Sequence, residues 1–361
     1  MATIYDVARH AGVSPATVSR VLNGHANVDP ELAARVNSST AELGFRRNAV
    51  ARNLRRQRTT LWAAIISDIA NPFFTSLVRG VEDVAQSAGY YVVLCNSDED
   101  LKKESGYLRA VVSERMAGVI ISPASERSTD IAPLLDAGTP VVVIDRSVRG
   151  VQVDRVQVDN VQAAADATAH LLANGAQRVA CITGPRRATT ARQRLQGYER
   201  AMRKAGRVVD SSLVRYADFR EQGGYEAMAS LLDQECPPDA VFVTNNLMTI
   251  GMLECLTVRG ISIPDKMLVV GFDDLPWTRL IRPTLSVVKQ PTYEVGQTAA
   301  HLLIQRIDQP ARPPSTVVLA AKLAAAGSSH RADEHLDLWR GFRPTGRRPI
   351  LIRRTRSGAS L

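Results

Sequence analysis

Seven short, mostly apolar runs constrain this chain more than any other feature. They span residues 61–67, 91–96, 118–122, 140–145, 178–183, 240–244 and 267–273. Runs this apolar suit strands covered on both faces. Amphipathic stretches separate them, and such alternation predicts an α/β fold with parallel, doubly wound sheets and right-handed crossovers. A chain of 361 residues has room for two or three domains. None of the runs approaches the roughly 20 apolar residues that a membrane helix needs, so no membrane partner is expected.

In parallel sheets of this kind, ligands bind beyond the strand C-termini. The polar residues that follow each run are therefore the ones to examine. They include Asn71-Pro72-Phe73-Phe74, Asp145-Arg146, Arg192, Ala217-Asp218-Phe219, Asn245-Asn246, Asp273-Asp274 and Gln290. Asp, Asn, Gln and Arg pair well with vicinal hydroxyls, and aromatic rings pack on the C–H faces of a sugar. Taken singly, Asp145-Arg146 reads equally as a structural ion pair and Asp273 as a helix cap. Their recurrence at the expected strand ends points to a ligand site.

The first 45 residues have a different rhythm. Thr3 can cap a helix with Ile4, Val7, Ala8 and Ala11 on one face, and Gly12 follows as its stop. Ser14-Pro15 opens a second helix with Val18, Val21 and Leu22 inward. Asp29-Pro30 opens a third, with Leu32, Val36 and Leu43 inward and Gly44 after it. Two short helices across a glycine turn make a helix-turn-helix, whose second helix fits the DNA major groove. Ser14, Pro15, Ala16, Thr17, Ser19 and Arg20 then face the duplex. Arg20 can donate twice to guanine, and the hydroxyls suit phosphate oxygens. A small helical bundle that binds nothing has the same spacing.

Charge fits the DNA reading, although basic ends suit a membrane surface or solubility alone equally well. Residues 1–60 hold 9 Arg against 4 acids, and residues 331–361 hold 8 Arg against 3 acids. The body, 61–330, is nearly balanced, with 28 basic and 29 acidic residues. Basic ends on a neutral globule suit a polyanion. The start of the chain lacks an apolar signal core, and Cys95, Cys181, Cys236 and Cys255 lie far apart. A reduced, cytoplasmic protein is expected. No GxGxxG, GxxxxGK[ST], HExxH or GxSxG motif is present, and the six histidines show no metal-ligand spacing. No catalytic residue, metal or cofactor is expected.

The stretch from Thr3 to Gly24, TIYDVARHAGVSPATVSRVLNG, closely resembles the headpiece of the LacI/GalR family of bacterial transcriptional repressors. The resemblance runs over roughly residues 2–329. It implies DNA contacts at Tyr5, Pro15, Ala16, Arg20 and Asn23. It also implies a hinge helix within residues 46–60, capped by Asn48, with Ala51 allowing close approach and Leu54 as a wedge in the minor groove. Arg47 stands where the family usually has proline. The core resembles periplasmic sugar-binding proteins. That likeness implies a sugar held by Asn71, Phe73, Phe74, Asp145, Arg146, Arg192, Phe219, Asn245, Asp273 and Gln290. Asn246 replaces a more usual aspartate.

The expected organisation follows from these readings. A headpiece (1–45) and hinge (46–60) precede a two-lobed core (61–329). One lobe is about 61–158 plus 289–317, and the other 159–288 plus 318–329, with crossings near 159, 288 and 318. In the family, the helix after Asn71 is where members dimerise. Its stripe of Leu77, Val81 and Val84 is equally explained as core. Residues 330–361 are basic and match nothing in the family, and they read as mostly disordered. The expected function is a dimeric repressor that leaves a pseudo-palindromic operator when a neutral sugar, a pentose such as ribose, binds. A ligand acting as co-repressor and a sugar-binding protein without repression are the alternatives.

Overall fold

The computed structural model describes residues 2–22, 28–45 and 59–331. The N-terminal unit has three helices: α1 (Ile4–Ala11), α2 (Pro15–Leu22) and α3 (Pro30–Glu42). Thr3 and Asp6 form a reciprocal capping box at the start of α1, which satisfies two amides that the helix itself leaves unpaired. Gly12 ends α1 in the left-handed region, with φ 64°. Ser14 Oγ accepts from Thr17 N at 3.1 Å, and Asp29 Oδ1 accepts from Glu31 N at 2.8 Å. The core is small: Val7, Ala8, Ala11, Val18 and Val36, with Ile4, Val21, Leu22 and Leu43 packed around it. Each fully buried valine contributes roughly 1.5–3 kcal/mol. Arg35 of α3 adds a polar tie, donating to Ala11 O at 2.8 Å across the helix-turn-helix turn.

From residue 59 the chain builds two six-stranded sheets. The strands are β1 (Leu61–Ile66), β2 (Tyr91–Asn96), β3 (Gly118–Ile121), β4 (Val141–Ile144), β5 (Asp154–Val158), β6 (Val179–Thr183), β7 (Val214–Tyr216), β8 (Ala240–Val243), β9 (Leu268–Phe272), β10 (Ser286–Lys289), β11 (Thr316–Leu319) and β12 (Lys322–Ala324). The first sheet has the order β11-β5-β4-β3-β1-β2, and the second β12-β10-β9-β8-β6-β7. Every pairing is parallel except β10 with β12.

Helices cover both faces of each sheet, so the central strands are buried throughout. On one face of the first sheet lie α4 (Pro72–Ser87) and, much later in the chain, α11 (Thr292–Asp308); on the other lie α5 (Leu101–Ser113) and the short α6 (Ala132–Asp136). The second sheet carries α7 (Asn160–Ala173) and α8 (Thr189–Lys204) on one face, and α9 (Glu221–Leu232) and α10 (Asn246–Val258) on the other. Helices α4 and α11 touch backbone to backbone. A methyl added at Gly296 would lie 2.0 Å from Leu77 O. Leu77, Val81 and Val84 face α11 and the sheet, so the apolar stripe of α4 belongs to the core of its own chain.

The chain passes between the sheets three times. After Val158 it enters α7, with Asp159 as the cap. It returns between Lys289, still paired to β12, and Thr292. The last crossing lies at 320–321, because Val318 and Leu319 still pair with β5 and Lys322 already pairs with β10. That is later than the crossing expected near 318. Strands β5, β7, β10, β11 and β12 extend the sheets beyond the seven expected runs.

Candidate functional site

The strand C-termini of both sheets open onto one cleft, the usual place for a ligand in sheets of this kind. From the first sheet come Asp68, Asn71, Phe73, Phe74, Glu99, Asp145 and Arg146. From the second come Thr190, Arg194, Asp218, Phe219, Arg220, Asn245, Asp273 and Gln290. Nine of the ten residues expected around a ligand therefore share this space. Five carboxylates face three guanidinium groups across it.

Local structure fixes most of these side chains. Asn71 caps α4, its Oδ1 accepting from Phe73 N at 2.9 Å. The same oxygen accepts from Asn246 Nδ2 at 2.8 Å, a bond from one lobe to the other. An aspartate at 246 would have no hydrogen to donate there. Phe73 and Phe74 meet edge to face at 4.9 Å. Asn245 caps α10 through Met248 N. Gln290 Nε2 donates to Asp273 Oδ1 at 2.6 Å, while Gln290 Oε1 is buried without a protein partner.

Six non-glycine residues among those described have positive φ: Asp98, Glu99, Arg115, Asp145, Phe219 and Asp273. Four of the six line the cleft. Left-handed backbone costs a residue with a side chain of order 1–3 kcal/mol, and it clusters where function demands it.

Burial dominates the electrostatics. It pushes the Asp273 carboxyl up to about 6, although Arg194 and Gln290 pull the other way. Burial also raises Asp145, against the pull of Arg146 and Arg194. Arg194 is lowered by burial, with Asp273 and Asp145 opposing. For Arg146, burial works against the charge, but the hydrogen bonds and charge of Glu99 outweigh it and raise the group.

Arg192 is the expected residue that lies elsewhere. It pairs with Glu126, and nearly half of its side chain is exposed. Helix geometry explains the difference. Two residues advance about 200° around a helix, whereas four return to the same face. Thr190 and Arg194 therefore face the cleft and Arg192 points away. Arg194 donates to Asn160 Oδ1 and Thr244 O, both at 2.7 Å, and lies 3.7 Å over the Phe272 ring. Its spacing from Thr190 was the available signal. Glu99 and Arg220 had none, since their roles come from partners distant in sequence.

On the N-terminal unit, Tyr5, Ser14, Ala16 and Arg20 are exposed, while Pro15, Thr17 and Ser19 are half-buried. Ser14 Oγ also contacts Thr17 Oγ1 at 2.9 Å, so both hydroxyls take part in capping. Asn23, Asn48, Ala51 and Leu54 lie outside the described residues, as do most of the hinge and the tail from 332 onward.

Residues 3–48 match the family described as "Bacterial regulatory proteins, lacI family". Residues 59–326 match "Periplasmic binding proteins and sugar binding domain of LacI family". The chain belongs to the LacI family. Catabolite control protein A of Priestia megaterium is 34% identical over 322 residues, covering 89% of this chain and 97% of that protein. The ribose operon repressor of Escherichia coli (strain K12) is 34% identical over 331 residues, 91% of this chain and 100% of that one. A solved transcriptional regulator CelR–cellobiose complex superimposes with a TM-score of 0.70 at 32% identity, covering 91% of this chain and 100% of that one. As a LacI-family member, this protein is a DNA-binding transcriptional repressor rather than an enzyme. Among the described residues no helix is long and apolar enough to cross a membrane.

Proposed function

We propose that this LacI-family protein is a cytoplasmic homodimeric repressor that leaves a pseudo-palindromic operator when a neutral monosaccharide binds, with a pentose such as ribose preferred. The observation that carries the reading is the convergence of Asn71, Phe73, Phe74, Asp145, Arg146, Phe219, Asn245, Asp273 and Gln290 on one cleft between two sheets. Carboxylates and amides there suit vicinal hydroxyls, and the phenylalanines suit a sugar's C–H faces. The excess of carboxylates over guanidinium groups disfavours an anion. The ribose operon repressor is the relative whose name supports ribose.

The mechanism is linkage. Sugar bridges the two lobes, the closed arrangement alters the dimer, and the hinge segments lose their grip on the minor groove. Coupling of about 1–3 kcal/mol between two sites is typical, and larger shifts need proportionately larger differential affinity. A two-fold dimer reads two half-sites, hence the palindrome.

The test is calorimetric titration with ribose, arabinose, xylose, glucose and adenine. It is repeated on the complex with a duplex selected by the protein from a random pool. The expected result is tightest binding of a pentose and operator affinity that falls as that pentose is added. Operator affinity that rises assigns a co-repressor instead. Sugar binding without any selected duplex leaves a sugar-binding protein.

A further inference from the structure

Arg146 sits in the cleft with its charge already answered from within the protein. Its fork meets both carboxylate oxygens of Glu99, at 2.6 and 2.7 Å. A third bond reaches Pro123 O at 3.2 Å, and its Nε lies 3.6 Å from Asp145 Oδ2. The Arg146 side chain is buried, and that of Glu99 is 18% exposed. Glu99 is held at φ 60°, directly after Asp98 at φ 56°. Such backbone persists only where its surroundings over-determine it. Both partners line the cleft.

We propose that Glu99 is a specificity-determining residue: by filling the Arg146 fork, it makes the cleft refuse anionic sugars, sugar phosphates above all, while neutral polyols still bind. This inference rests on the neutral-sugar reading above. Phosphate is recognised by a guanidinium that presents two free N–H groups in one plane. Arg146 offers no such pair while Glu99 occupies it. The other two cleft arginines are also engaged, Arg194 with Asn160 and Thr244, and Arg220 with Asp68 and Asp98. Glu99 is the point where one neutral substitution removes the carboxylate that fills an arginine fork lining the cleft. Discrimination by an element that repels the wrong ligand is a general route to specificity.

The experiment compares ribose with ribose 5-phosphate by calorimetry on the full-length wild type and on Glu99→Gln, Glu99→Asp and Glu99→Gly. The wild type is expected to favour ribose. Glu99→Gln should narrow that preference by roughly tenfold or more, mainly by admitting the phosphate. Glu99→Asp keeps the negative charge and enlarges the space, so it should retain the wild-type preference. Glycine suits the left-handed backbone at 99, so Glu99→Gly keeps the test available if the glutamine variant does not fold, and it should narrow the preference as well. Wild-type ribose binding with an unchanged ratio in Gln and Gly variants overturns this inference alone. Admission of the phosphate by the Asp variant also overturns it, since size and not charge would then exclude it. A wild type that favours ribose 5-phosphate overturns both this inference and the neutral-sugar reading.

Discussion

At the scale of single residues, Asp273 couples the cleft to pH. Its carboxyl is raised from the ordinary 3.8 to about 6 by burial. A carboxyl whose folded-state value is raised binds its proton more tightly in the folded than in the unfolded chain. Its contribution to stability is therefore complete below about pH 4 and disappears as pH rises through 6. Asp273→Asn should remove that dependence and raise the melting temperature above about pH 6, by an amount equivalent to roughly 1–3 kcal/mol. Thermal melts of both proteins from acid to neutral pH check this; parallel profiles would refute it. Sugar hydroxyls that donate to the Asp273 carboxylate must expel the same proton. Pentose affinity should thus rise by up to about tenfold from mildly acid to neutral pH. Titrations in buffers of different ionisation heat count the proton, and a buffer-independent heat contradicts the assignment.

At the scale of elements, the register of α8 separates two arginines that look equivalent in sequence. Arg194→Ala should weaken pentose binding at least tenfold, because it removes a cation beside Asp273 and Asp145 and unpairs Asn160. Arg192→Ala should leave binding within about threefold, since an ion pair this exposed contributes little. Direct titration of the two variants decides the matter, and the reverse order would move the ligand out of this cleft. Helix packing gives a second test. Gly296→Ala places a methyl against Leu77 O, and forced overpacking typically costs about 1–3 kcal/mol. A clear drop in melting temperature is expected; an unchanged one means that α4 and α11 can separate without loss.

The elements also mark what the sequence made legible. The central strands were readable because burial on both faces leaves them nearly continuous in apolar residues. Asn71, Asp145, Asn245 and Asp273 were readable because each follows such a strand, whereas Phe219 and Gln290 follow β7 and β10 and were legible through the family resemblance. Strand β5, Asp-Arg-Val-Gln-Val, alternates instead of running apolar, and β7 and β12 are only three residues long. Windows this short carry little periodicity. The family resemblance implies Arg192, whereas helix phase, which a motif match does not carry, turns Arg194 to the cleft. Asn246 was legible as a departure from the family, but its bond to Asn71 spans 175 residues and only the fold reveals it.

At the scale of the whole molecule, the proposed function requires that sugar and operator compete. Leu54, in the proposed hinge, is remote in sequence from every cleft residue. Leu54→Ala should weaken operator binding while leaving pentose affinity unchanged, because an apolar wedge acts on the base step alone. Fluorescence anisotropy with operator, paired with sugar titration, checks both halves; equal operator affinity would remove Leu54 from the interface. The basic N-terminal region also sets an ionic-strength signature, since each neutralised phosphate releases counterions and steepens the fall of affinity with salt.

The return of α11 and β11 to the first sheet has a consequence for synthesis. Both lie C-terminal to nearly all of the second sheet, yet they supply a wall and an edge of the first. A ribosome that halts near Gln290 releases a chain with a finished head and an unsealed first lobe. Domains generally fold in the order in which they emerge. Such a fragment would keep its DNA-binding head but lack a complete effector cleft, so quality control of incomplete chains matters more for this architecture than for one whose lobes are each contiguous.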